Sequence, residues 1–489
     1  MAKSWANSGL DLHLETFADG RRSGVRAAVE SGLREAVESG RLAPGAALPP
    51  SRALAHDLGV ARNTVTEAYA QLIAEGWLTA RQGSGTLVAQ RPGRAGPLGA
   101  AARLPEPVPP RYDLRAGFPD VSSFPRAEWS SAARAALANA PVSSLGYGPP
   151  SGGAELRAAL AGYLARARGV RLRGDRLVVC GGFTSGLGLI ADALRARGIQ
   201  RVGVERYGHA KHRAVLAAAG LRAVALPVDA GGAVPEGLDG MGAVLLTPAH
   251  QFPLGAALDA ERRSAFVAWA ARTGGLIIED DYDGEFRYDR RALGAMQALA
   301  PDHVVYGGTA SKALAPGLRL GWLVVPPTLL GTIVEQMEAS GQQPGALAQL
   351  TLATFIESGR YDRHVRRVRT LYRTRRDKLV DGLARRAPAL RTIGLNAGLH
   401  LTVELADRTA ETEIVEQCAA RKLAVDGLAG YDAAGAPDRS GLVIGYATPP
   451  SHAFSAALAR LFAALGQEGR AVIFGSSHAL GADPSRSNN

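Results

Sequence analysis

The 489-residue sequence predicts an α/β protein in two parts, and three observations carry that prediction. Residues 11–90 follow the order helix, helix, turn, helix, hairpin. A Pro/Gly-rich stretch comes next. From Val178 onward, short apolar runs alternate with helical patterns, which implies a largely parallel sheet packed with helices.

Composition narrows the class. Hydrophobic residues make up 46% and charged residues 21% of the chain, an ordinary globular balance that excludes disorder throughout. The two cysteines, Cys180 and Cys418, exclude a disulfide scaffold and a four-cysteine zinc site. No run approaches 18 apolar residues, so no membrane span is expected. Residues 1–12 hold Lys3, Trp5 and Asp11 and no apolar run, so no signal peptide is expected either. The expectation is a reduced, cytoplasmic protein without a metal site.

In the small domain, Ala28, Val29, Gly32, Leu33, Ala36 and Val37 fall at helix spacing, and Gly40 ends that helix. Ser51 is expected to cap a short helix that runs to Leu58, with Gly59 at the turn. A third helix opens near Asn63 and buries Val65, Ala68, Tyr69, Leu72 and Ile73 on one face, until Gly76 stops it. Residues 77–80 and 86–88 read as two strands joined by a Gly-rich tip. This is the layout of a winged helix-turn-helix, whose helix after the turn enters the major groove. Ser51, Arg52, Arg62, Asn63, Thr64, Gly83 and Ser84 are the candidate contacts to double-stranded DNA. A small helical module that binds protein is the plainer alternative. Residues 1–94 carry 11 basic and 9 acidic side chains, a net +2 out of the chain's +11. A reader so weakly basic depends on placed contacts and on dimerisation more than on bulk attraction.

Residues 91–111 have few bulky apolar groups and read as a flexible linker. Residues 112–470 form the large body, and residues 471–489, rich in Ser, Gly and Asn, are expected to be a disordered tail. Buried strands are expected at residues 177–180, 202–204, 243–246, 276–278 and 304–306, with helices such as 187–194 and 260–271 between them. Leu399–Val403 is strand-like and points to a smaller C-terminal subdomain. Several strand ends are polar, where an α/β site is expected. Gly181-Gly182-Phe183-Thr184-Ser185-Gly186 joins a strand to a helix and can cradle a phosphate with backbone N–H groups. Glu279-Asp280-Asp281-Tyr282 sets acids after a buried strand, where a carboxylate can hold a pyridinium nitrogen protonated. Gly308-Thr309-Ala310-Ser311-Lys312, with Arg319 beyond it, offers a Schiff-base amine beside a phosphate. Helix capping, a structural ion pair and a solvated lysine are the plain readings of each motif taken singly. Their joint occurrence in this order argues against them.

The motifs then become specific. "GRLAPGAALPPSRALAHDLGVARNTVTEAYAQLIAEGWLTARQGSGTLV" resembles the GntR-type winged helix, and residues 112–466 resemble fold-type I pyridoxal 5′-phosphate (PLP) aminotransferases. Their fusion in this order, with "TPAHQFPLG", "IEDDYDGEFRY" and "GTASKALAPGLRLGW", resembles the MocR subfamily of bacterial transcription regulators, with PdxR-type members among them. The resemblance implies that Lys312 carries PLP as a Schiff base, Asp280 pairs with the pyridine nitrogen and Tyr282 bonds the ring O3′. It implies that Thr184 with the Phe183 amide, Thr309, Ser311 and Arg319 hold the phosphate. Tyr147 would reach the phosphate of the partner subunit, which requires a homodimer; whether the dimer is head-to-tail stays open.

Three departures stand out. Phe252 occupies the place of an Asn that usually bonds O3′. The ring-stacking aromatic must be His209 or Tyr207. Val443 stands where the substrate-carboxylate Arg usually sits, with Arg439 nearby in sequence. The expected function is therefore a PLP-sensing transcription regulator, with vitamin B6 metabolism genes as targets. The alternatives are an active PLP-dependent aminotransferase with a DNA-binding module, or a PLP-like fold that is empty. His250 and His400 read as structural. The arginines at 363, 366, 367, 369, 373, 375 and 376 read as a solvated helix face, with a second DNA-contacting surface as the alternative.

Overall fold

The computed structural model describes residues 24–81, 85–90, 110–172, 176–288 and 293–475, with the side chains of 467–475 left out. The chain divides into two compact units, residues 1–108 and 109–489.

In the first unit, helices Val25–Glu38, Ser51–Asp57 and Arg62–Ala74 precede an antiparallel hairpin of Leu78–Arg81 and Gly85–Val88. Val29, Leu33, Leu54, Val65, Leu72, Leu78 and Val88 form its core, the face that helical spacing foretells. Tyr69 is buried and donates its hydroxyl to the carbonyl of Pro49, locking the third helix onto the entry to the second. One expectation needs correction: Ser51 does not cap. Pro50, with its φ fixed near the extended entry conformation, holds the N-cap position, and Ser51 is the first helical residue.

The second unit is built on a seven-stranded sheet. Its spatial order is Leu177–Cys180, Gly321–Val324, Val304–Thr309, Leu276–Asp280, Ala243–Leu246, Arg201–Glu205, Arg222–Leu226. Only Gly321–Val324 runs against its neighbours. The other contacts along the sheet are parallel. The central strands are buried along their length, so they read as unbroken apolar runs. Helix Phe183–Ala196 packs Leu187, Ile190, Ala191 and Leu194 on one face of the sheet; Phe266 and Trp269 of helix Ala260–Thr273 cover the other. A second antiparallel sheet, Arg391–Ile393, His400–Glu404, Gly441–Gly445 and Asp426–Gly427, forms the smaller C-terminal part.

The long helix Arg360–Arg386 corrects the reading of its arginines as one solvated face. Arg363, Arg366, Arg367 and Arg373 are exposed. Arg375 is buried, 2.7 Å from Asp120, and donates to the carbonyls of Ala447 and Pro449. Arg369 donates to the carbonyl of Glu285. The final helix runs Ser451–Gly475, past residue 470, where the tail was expected to begin. Gly83, Ser84 and linker residues 91–109 lie outside the described residues. Among the described residues, no helix is long and apolar enough to cross a membrane.

Candidate functional site

Parallel strands end on the same side of a sheet, and a cleft opens there. Glu205, Asp280 and Thr309, the last residues of three strands, line one cleft. Phe183, Thr184, His209, Tyr282, Ser311, Lys312 and Arg319 share it. Nine expected residues therefore converge from five separate stretches of chain: Phe183, Thr184, His209, Asp280, Tyr282, Thr309, Ser311, Lys312 and Arg319.

Asp280 terminates strand Leu276–Asp280 and is buried. Its Oδ1 accepts no hydrogen bond among the described residues, and its Oδ2 lies 3.9 Å from His212 Nδ1. Burial holds its carboxyl far above the usual range, although Lys312 opposes that shift. Lys312 is half-buried and donates to the carbonyl of Gly117. Burial lowers its pKa, and Asp280 and Asp283 oppose the fall. The cleft thus holds an amine pushed toward its reactive neutral form and a carboxylate left without a donor.

At the other end, Gly182 (φ 97°) is the N-cap of helix Phe183–Ala196, so backbone N–H groups open into the cleft. A Cβ built on Gly181 or Gly182 would sit 3.8 Å from the Arg319 guanidinium. Arg319 has no carboxylate partner among the described residues. Thr309 Oγ1 and Ser311 Oγ lie 2.9 Å apart beside it. Arginine, two hydroxyls and a helix N-terminus are the donor set that a phosphate dianion requires.

His209, not Tyr207, lies in the cleft wall. His209 lines the cleft and stacks on Phe252 at 5.3 Å and 14°. Desolvation, with Lys312, Lys211 and Arg213 nearby, pushes the His209 pKa down to about 4. Tyr207 is buried elsewhere, its hydroxyl donated to Asp438. Tyr147 is fully exposed and is not part of its own chain's cleft.

Among the described residues, no basic side chain of the C-terminal sheet lines the cleft. Val443 is fully buried among Phe252, Leu254, Tyr282 and Leu428. Arg439 hydrogen-bonds Glu404 and lines a different pocket. His250 and His400 are buried behind the cleft, as structural residues would be, and His250 Nδ1 contacts Asp283 at 2.7 Å. Gly117, Glu205, Thr247, His212 and Arg213 also line the cleft, and sequence reasoning missed them. Glu205 had a legible signal, an acid closing a buried strand. Gly117 had none. Thr247 donates to Glu205, whose burial raises its pKa to about 7.

In the first unit, Arg52, Arg62 and Asn63 are exposed and Thr64 half-buried at the start of their helices. These side chains are available at the helix N-terminus that a groove-reading helix presents.

Comparison with known proteins follows the same division. Residues 26–88 match the family of bacterial regulatory proteins of the gntR type, and residues 113–433 match the aminotransferase class I and II family. The chain is 35% identical over 413 residues to the HTH-type pyridoxine biosynthesis transcriptional regulator PdxR of Corynebacterium glutamicum, covering 83% of this chain and 88% of that protein. It is 34% identical over 402 residues to the probable rhizopine catabolism regulatory protein MocR of Rhizobium meliloti, covering 78% and 81%. Among solved structures, kynurenine aminotransferase of Pyrococcus horikoshii superposes with a TM-score of 0.66 at 21% identity, covering 73% of this chain and 91% of that one. The α-aminoadipate aminotransferase LysN of Thermus thermophilus gives 0.65 at 22%, covering 74% and 93%.

Proposed function

Because the chain belongs to the MocR-type GntR regulators, a helix-turn-helix fused to an aminotransferase class I and II domain, we propose that its cleft senses PLP and reports to operator DNA. One observation carries the reading. Asp280 Oδ1 is buried and unpartnered at the floor of a cleft that also holds Lys312, and a protonated pyridine nitrogen supplies the missing donor. The residues present fit the coenzyme. Lys312 would hold its aldehyde end and Asp280 its ring nitrogen. His209 would face the ring, and Thr184, Thr309, Ser311 and Arg319, with the Phe183 amide, would hold its phosphate. When bound, PLP supplies an aldehyde that captures primary amines. Burial around Lys312 lowers the pKa of the capturing amine, and the stacked His209–Phe252 pair forms one wall.

Sensing is favoured over turnover by what the cleft lacks. Val443 brings no charge, Arg439 is engaged by Glu404, and an α-amino acid loses its bidentate anchor. The effector is then PLP itself, and the targets are genes of vitamin B6 metabolism, in keeping with the name of the Corynebacterium relative. Ser51, Arg52, Arg62, Asn63 and Thr64 would meet the operator. The exposed Val142, Leu145 and Tyr147 form an apolar rim suited to a second copy, whose cleft Tyr147 would complete. A gel-shift assay on the promoters of this gene and of neighbouring B6 genes, with and without PLP, tests the reading. Affinity indifferent to PLP overturns it. The second reading, an active aminotransferase, draws on the same Lys312 and Asp280. Sustained keto-acid turnover would favour it.

A further inference from the structure

Tyr282 lines the cleft, yet the polar partner of its hydroxyl lies behind it. Tyr282 Oη is 3.1 Å from His250 Nδ1, and the same nitrogen is 2.7 Å from Asp283 Oδ2. All three side chains are buried. The arrangement is built into the backbone. Gly398, at φ +80°, comes so close that a Cβ would fall 2.2 Å from His250 Cε1 and 2.6 Å from Asp283 Oδ2. Even alanine is barred there, on both space and conformation. Phe252, edge-on to Tyr282 at 5.8 Å and 86°, brings no polar group. The phenol's neighbour of that kind is supplied instead by His250, two residues earlier in the same turn.

Hydrogen-bond inventory fixes the direction. A carboxylate only accepts, so the contact at 2.7 Å assigns the Nδ1 proton to the Asp283 side. Tyr282 Oη can share that N–H only as an acceptor. Its own O–H has the Asp283 carboxylate beside it as an acceptor, and the cleft is the open side of the residue. We propose that His250 and Asp283 are positioning residues that hold the Tyr282 hydroxyl at the cleft, where its O–H turns from Asp283 to an oxygen on the bound ligand. The inference rests on the coenzyme reading, in which that oxygen is the ring hydroxyl oxygen of PLP. Neither residue touches the ligand; each acts through Tyr282.

The test reads the pH at which the PLP-bound protein changes colour, which reports the proton on the nitrogen of Lys312. The charged and titratable groups around that nitrogen are Asp280, Asp283, Lys211, His209, His212 and His400. Those around Tyr282 are Asp283, Asp280 and Tyr446, and His400 lies against His250. A donated O–H stabilises negative charge on the ring oxygen and so favours loss of the neighbouring proton. Tyr282→Phe should move the transition upward by about one pH unit. His250→Gln should move it in the same direction, and in the Tyr282→Phe background it should move nothing further. Melting of the ligand-free variants reports folding. An unchanged transition in a folded, coloured His250→Gln protein overturns the inference. So does an equal shift with Tyr282 already removed, since the histidine would then act through space. A wild type that never colours overturns the coenzyme reading instead, a distinct result.

Discussion

The two ends of the cleft are built to different standards. At the end proposed for the coenzyme, buried Asp280 with its unpartnered Oδ1, the half-buried Lys312 amine, the Gly182 N-cap and the Arg319 guanidinium converge from separate elements. At the end where an amino-acid carboxylate would dock, Val443 packs into an apolar floor and Arg439 turns to Glu404. On the proposed reading, a site that would hold a coenzyme and lacks that anchor for a substrate is suited to detecting the coenzyme. Loss of a single bidentate arginine is enough to separate the two tasks.

The contrast can be broken most sharply at Lys312. Lys312→Ala should abolish the yellow colour that PLP gives the wild type and leave the melting transition in place, since the amine's one described hydrogen bond is to the carbonyl of Gly117. Global unfolding would give the lysine a structural role instead. Asp280→Asn should weaken PLP binding by about 2–5 kcal/mol, measured by fluorescence titration, because a buried charge pair loses a partner. The same variant should make the ligand-free protein more stable at neutral pH by about 1–3 kcal/mol, because an unpaired buried carboxylate is removed. The sign of the pH effect follows from the raised folded pKa of Asp280 against its ordinary 3.8. The native state holds the proton longer than the unfolded chain, so Asp280 costs stability as pH rises above about 4. Urea titrations across that range should flatten in the Asn variant.

A smaller effect is expected in the DNA-reading unit. Arg62→Ala should weaken operator binding by about 1–3 kcal/mol if the side chain reads a base edge, with selectivity falling alongside affinity in gel shifts. Uniform weakening across sequences would place it on a phosphate. The smallest effect sharpens the comparison directly. Calorimetry should detect no gain in binding when α-amino acids are added to the PLP-loaded protein. Tight binding of one of them would mean that another cleft cation, Arg213 among them, serves as the missing anchor.

Much of this was legible in the chain itself. Buried parallel strands announce themselves as apolar runs, which is why those ending at Cys180, Glu205, Leu246, Asp280 and Thr309 could be read. The strands Arg222–Leu226 and Gly321–Val324 were missed. The first alternates Arg and Ala with larger apolar residues over a half-buried edge, and the second hides inside the motif that follows Lys312. Chemistry-bearing residues at strand ends could be named because the sheet's topology aligns those ends. The choice between His209 and Tyr207 could not be made, because both are rings on one short loop and only packing decides which faces the cleft. Arg375 was misread for a similar reason: a charge on a basic helix looks solvated until its acid, Asp120, arrives from 255 residues away. Gly117 and the His250–Asp283 pair depend on chain crossings that no local pattern encodes.

The central claim is that occupancy at Lys312 changes the grip on DNA, and one titration addresses it. Operator affinity should be measured with and without PLP for the wild type and for Lys312→Ala. The account predicts a PLP-dependent change equivalent to about 1–3 kcal/mol in the wild type and none in the variant. An operator affinity that ignores PLP in the wild type, or responds equally in both proteins, would contradict it.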